Sequence, residues 1–144
     1  MNTNRATLVQ LFLRLALSVS FLSAVADRLG FWGTEHVSWG NWENFVAYSQ
    51  RVNSFANAQI NIVLAIVATT LEILLPVLFL IGYKIKIAAT VSAVLLLCFA
   101  LAMTYSFGLK PSLDYSVWTA AAASFALAAL GDYRYSIDQL LAEK

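Results

Sequence analysis

A continuous apolar run from Asn61 to Gly82, NIVLAIVATTLEILLPVLFLIG, constrains this chain more than any other feature. About 20 apolar residues at a rise of about 1.5 Å each match a hydrocarbon core of roughly 30 Å, so the run reads as a transmembrane helix. One carboxylate, Glu72, stands near its middle, and Pro76 follows one turn later. An ionised carboxylate at that depth costs about 2.5 kcal/mol or more, so Glu72 must be neutral, paired or turned toward a polar cavity. Pro76 also removes the backbone hydrogen bond to the carbonyl of Glu72, which predicts a polar group or water beside it.

Hydrophobic residues make up 60% of the 144 residues and charged residues 12%, against about 45–50% and about 25% in soluble domains. The chain is therefore read as a polytopic membrane protein, one all-α bundle in contact with the lipid bilayer. A net charge of +1 offers no electrostatic case for nucleic acid. Cys98 is the single cysteine and lies in an apolar stretch. It reads as a small buried hydrophobe, unable to form an intramolecular disulfide or a CxxC redox pair.

Four spans are expected, at about 6–26, 60–82, 85–105 and 114–131. The first apolar run, Ala6–Ala26, also resembles a secretory signal, but it is long for one and contains Arg14, so it is read as a retained helix. Between spans 1 and 2 lies a Trp- and Gly-rich segment with Trp32, Trp39 and Trp42, whose rings suit a membrane interface. Trp42, Phe45, Val46, Val52 and Phe55 recur at roughly helical spacing, which allows either a surface helix acting as a lid or a loop with interfacial anchors. His36 stands alone there and reads as a solvated loop histidine, and no metal site is expected.

Spans 2 and 3 leave room only for a tight turn at Gly82-Tyr83. SFGLKPSL (106–113) reads as the next turn, after which Asp114 is placed to cap span 4. Small residues at four-residue spacing, Ala16, Ser20 and Ala24 in span 1 and Ala120, Ser124 and Ala128 in span 4, predict close packing of those two helices. Ser136 and Gln139 form a capping box for a short surface helix at about 136–143. Arg5, Lys84, Lys86, Arg134 and Lys144 fall on one side and Arg28, Arg51 and Lys110 on the other. The positive-inside rule then puts both termini in the cytoplasm, and the Trp-rich segment outside.

Arg14 and Glu72 are the two charges of opposite sign read as lying inside spans, roughly 9 and 15 Å from the cytoplasmic ends. Arg14 is the candidate charge partner of Glu72, although side chains lean toward the N-terminus of their own helix, which draws these two apart. The alternative is a structural Glu72 with Arg14 snorkelling to the interface.

DRLGFWG, WGNWENF, the Glu-then-Pro of span 2 ending in Gly-Tyr-Lys, and the run MTYSFGLKPSLDYSVWTAAAASF together resemble the DoxX family of small four-helix membrane proteins. Its members include the DoxD small subunit of thiosulfate:quinone oxidoreductase. The resemblance implies a membrane subunit of a quinone-linked oxidoreductase, acting on sulfur compounds or in redox stress, in the cytoplasmic (inner) membrane. A membrane quinone would then be the substrate, and a partner oxidoreductase subunit or a second copy would complete the assembly. Glu72 becomes the candidate proton donor or acceptor, helped by a hydroxyl such as Thr69, Thr70, Tyr105 or Tyr115. Arg28, Lys110 and Asp114, with Tyr115 and Tyr105, become candidate substrate-binding residues at the outer mouth. The alternatives are a non-catalytic scaffold that recruits a soluble redox partner, and a narrow proton or solute path. The chain carries no cofactor motif of its own.

Overall fold

A computed structural model describes residues 3–33, 35–131 and 133–142. The described residues form α1 (Thr3–Arg28), α2 (Trp42–Val52), α3 (Ala58–Ile81), α4 (Ile85–Phe107), α5 (Leu109–Asp114), α6 (Val117–Leu130) and α7 (Ile137–Ala142). Three of these, α1, α3 and α4, are long and apolar enough to cross a membrane. Their outward faces are apolar, for example Leu8, Phe12, Leu15 and Val19 on α1 and Ile66, Val67 and Ile73 on α3. That pattern suits a lipid environment, where outward surface need not be polar.

The stretch read as a turn, 106–113, holds most of a short helix, and the fourth span read from about 114 starts at Val117. α5 ends at Asp114, Ser116 takes a left-handed φ of 55°, and α6 restarts at Val117 as a 14-residue apolar helix. The break is pinned by the fully buried Ser112. Its hydroxyl bonds the Leu109 carbonyl and Thr104 Oγ1, each at 2.8 Å, and accepts from Trp118 Nε1 at 3.0 Å. Pro111 fits because it lies in the first turn of α5, where a missing N–H costs nothing. Asp114 accordingly does not cap the last long helix; it closes α5 and pairs with Lys110 at 2.6 Å.

α1 packs on α3, and α6 packs chiefly on α4, joined by buried Ser92 and Ser124 at 2.9 Å. The expected seam of small residues between α1 and the last long helix does not form, since Ala16 and Ser20 face outward. The buried stripe of α1 is instead Gln10, Arg14, Leu17, Ser18, Phe21, Val25 and Arg28, a helical spacing of three and four. Cys98 also faces outward.

The chain end closes one end of the bundle. Gly82 caps α3 with φ 72°, and a Cβ there would lie 2.5 Å from Ser136 Cβ and 2.8 Å from Arg14 Nη2. Only glycine meets both demands. Asp138 accepts from the Lys84 and Ile85 N–H groups at 2.7 and 2.8 Å, and its own N–H donates to the Gly82 carbonyl. A residue more than fifty positions away therefore caps α4. Gln139 N–H donates to Ser136 Oγ, and Gln139 Oε1 accepts from Tyr135 N–H, close to the expected capping box. Tyr133 donates to the Leu127 and Ala128 carbonyls at the end of α6. Burial raises the pKa of its phenol, which keeps it protonated for that role. Lys144 lies outside the described residues.

Candidate functional site: a buried ion pair beneath an aromatic lid

α1 and α3 run antiparallel, and their polar groups face one another in register. Arg14 reaches Phe79, Ser18 reaches Pro76, and Arg28 reaches Thr69. At the far end of this ladder Arg28 Nη1 lies 2.5 Å from Glu72 Oε2 and 2.7 Å from Thr69 Oγ1. The Thr69 hydroxyl donates a hydrogen bond to the Ala65 carbonyl at 2.8 Å, so its oxygen is free to accept from Arg28. Arg28 is 2% exposed and Glu72 4% exposed. The Arg28 Nε–H is buried and has no hydrogen-bond partner.

The lean of side chains toward their helix N-terminus explains this pairing. Arg28 leans back along α1 by about one turn and so meets Glu72, which leans along α3 toward Thr69. Arg14 leans the same way, toward the N-terminus of α1, which carries it away from Glu72. Its Nε donates to the Phe79 carbonyl at 2.7 Å, Nη2 to the Leu80 carbonyl, and Nη1 to Gln10 Oε1 and the Arg134 and Tyr135 carbonyls, each at 3.3 Å. Leu80 is eight residues beyond Glu72, about 12 Å along the helix. The candidate Arg14–Glu72 pair does not form, and Glu72 pairs with Arg28 instead. The sequence reading ended the first span at Ala26 and left Arg28 on the outer surface, whereas α1 runs through Arg28 and buries it.

Above the pair lies the Trp-rich segment. The Arg28 guanidinium carbon is 3.8 Å from the Phe45 ring centroid and 5.2 Å from that of Trp39, within reach of cation–π attraction. Phe45 belongs to α2, an amphipathic helix capped by Asn41, whose side chain accepts from Asn44 N–H. Trp39 packs edge-on to Phe45 at 5.1 Å and also meets Tyr48, which in turn meets Phe107 of α4. Burial raises the pKa of the Tyr48 phenol, with Tyr115 adding to the effect and Arg51 opposing it. The lid alternative for this segment is the one whose side chains cover Arg28. Its beginning is fixed by Asp27, whose carboxylate accepts from the N–H groups of Ser38, Trp39 and Gly40 at 2.7, 3.2 and 2.7 Å.

The other predicted residues do not join this centre. Lys110 and Asp114 form an exposed pair on α5, Tyr115 is exposed at the following break, and Tyr105 is exposed and packs edge-on to Phe55 at 5.8 Å. Asp27, Gln10, Ser18 and Asp138 are among the polar residues that sequence reasoning passed over. The spacing of Gln10, Arg14 and Ser18 at four-residue steps was a usable signal for one polar face of α1. Nothing local marks Asp27 or Asp138, whose partners are distant in sequence. Among the described residues no three His, Cys, Asp or Glu side chains converge as metal ligands.

Three membrane-length helices and a charge pair buried between two of them define a polytopic α-helical membrane protein. The chain belongs to the DoxX family, whose sequence profile matches residues 9–106. That match rests on α1 to α4 and reaches only the start of the MTYSFGLKPSLDYS run. No curated protein and no solved structure matches the chain.

Proposed function

We propose that this DoxX-family protein is the membrane subunit of a quinone-linked oxidoreductase of sulfur-compound or redox-stress metabolism, with its site at the Arg28–Glu72 pair. The whole chain acts as one domain that crosses the cytoplasmic membrane four times, α6 with α5 supplying the fourth crossing, and both termini are cytoplasmic. The observation that carries the reading is the buried, unpartnered Arg28 Nε–H beside a carboxylate. A buried donor without an acceptor is costly, and a carbonyl oxygen satisfies it. A membrane quinone, when bound, supplies that oxygen and the electron-accepting ring. The chain's own residues would do the rest: Arg28 holds the oxygen, Thr69 steadies Arg28, Glu72 moves a proton, and Phe45 and Trp39 exclude water. Arg14 is proposed as structural. Tyr105, Lys110, Asp114 and Tyr115 are proposed as the outer rim, where a partner subunit or second copy would meet the protein.

The test is titration of purified protein in lipid nanodiscs with a short-chain ubiquinone, read by quenching of tryptophan fluorescence. Saturable quenching that is lost in Glu72→Gln and diminished in Trp39→Phe is the expected outcome. Linear, variant-independent quenching refutes the site. Exposed Leu29, Phe31 and Trp32 next to the lid favour a second reading, a scaffold that recruits a soluble redox partner. It predicts co-purification of that partner, abolished by Phe31→Ser/Trp32→Ser, with no quinone binding.

A further inference from the structure

The lid is held by something other than its own aromatic packing. Asp27 is 7% exposed, and its two carboxylate oxygens gather three consecutive backbone N–H groups, those of Ser38, Trp39 and Gly40. These residues lie eleven to thirteen positions further along the chain, so the contact closes the loop that leads into α2. The two ends of that loop touch closely: a Cβ on Gly30 would lie 3.3 Å from the Gly40 carbonyl oxygen. Asn44 Nδ2 then bonds the Trp39 carbonyl at 2.8 Å, which ties the loop to the first turn of α2.

Hydrogen bonds from N–H groups to a buried carboxylate are among the stronger ones in proteins. Here they join two points of the chain, the residue before Arg28 on α1 and Trp39, one of the two rings that cover Arg28 in the lid. We propose that Asp27 is a positioning residue, a latch that holds Trp39 over Arg28 and so governs entry to the Arg28–Glu72 centre. The proposal rests on the reading of that centre as the functional site, but the latch itself has a readout that needs no quinone.

The reporter is a single thiol at Thr69, made as Thr69→Cys in a Cys98→Ser background, with labelling by a water-soluble maleimide followed in detergent. A second reporter, Ser92→Cys in the same background, lies buried between α4 and α6, away from the lid. With Asp27→Ala, the loss of three charge-assisted hydrogen bonds raises the Thr69→Cys labelling rate by at least ~10-fold. The Ser92→Cys rate stays unchanged. Asp27→Asn keeps an acceptor for part of the cluster and gives a smaller acceleration with the same selectivity, which preserves the test if Asp27→Ala does not fold. An unchanged Thr69→Cys rate in folded protein overturns the proposal. Parallel acceleration of both reporters also overturns it, since Asp27 would then be a general element of the fold. Ubiquinone titration of the wild-type protein separates the two ideas: selective labelling without quinone binding refutes the quinone site and leaves the latch standing.

Discussion

Arg14 and Arg28 stand on one face of one helix, both almost fully buried, yet the protein neutralises them in different ways. Arg14 is held by carbonyls at the C-terminal end of α3 and in the segment before α7, with Gln10 as its one side-chain partner. The carbonyl end of a helix carries partial negative charge and suits a cation, and the arrangement binds α1, α3 and the chain end into a clasp. Arg28 is held by side chains: a carboxylate, a hydroxyl and two aromatic faces. Its buried Nε–H is left without a hydrogen-bond partner. A cation bound by backbone carbonyls and one neutral amide has a structural task, whereas one bound by a protonatable side chain with a donor left over has the makings of chemistry.

That difference is open to attack by substitution, and the largest effect belongs to the ion pair. Glu72→Leu or Arg28→Met alone should cost about 3–5 kcal/mol, because each leaves a buried group without its partner, while the double variant should regain most of it. Unfolding in detergent, followed by circular dichroism, checks both statements. Arg14→Met should cost less, about 1–3 kcal/mol, chiefly for the buried Phe79 carbonyl left dry, and no second apolar substitution can rescue it, since that acceptor is backbone. Gly82→Ala attacks the clasp from the other side. Its left-handed φ alone costs about 1–2 kcal/mol, and displacement of Ser136 should appear as faster amide exchange at Lys84 and Ile85, whose cap is lost. The smallest effect is expected at Lys110→Ala, where an exposed pair is worth about 0.5 kcal/mol or less.

The long helices were legible because apolar runs of membrane length have few other uses, and Glu72 was legible because a carboxylate in such a run demands an explanation. α2 was legible only as one of two alternatives, because its aromatic spacing suits a surface helix or a loop with interfacial anchors. The partner of Glu72 was not legible, because the first span was ended at Ala26, and two more residues carry Arg28 inside the fold. The start of the fourth span was misplaced at Asp114, and the short helix inside 106–113 was missed, because both depend on Ser112, whose contacts with Thr104 and Trp118 are tertiary. The latch and the cap of α4 depend on Asp27 and Asp138, whose acceptor roles appear only once distant segments meet. Hydropathy shows which residues enter the membrane, but only the register of α1 against α3 shows which of them meet.

The double variant Arg28→Met/Glu72→Leu, titrated with ubiquinone in nanodiscs, tests the central claim most directly because it removes the charges while keeping the bundle folded. The account predicts a protein about as stable as the wild type that no longer shows saturable quinone binding, alongside an Arg14→Met protein that is less stable but binds normally. Undiminished quinone binding by the folded double variant would contradict it.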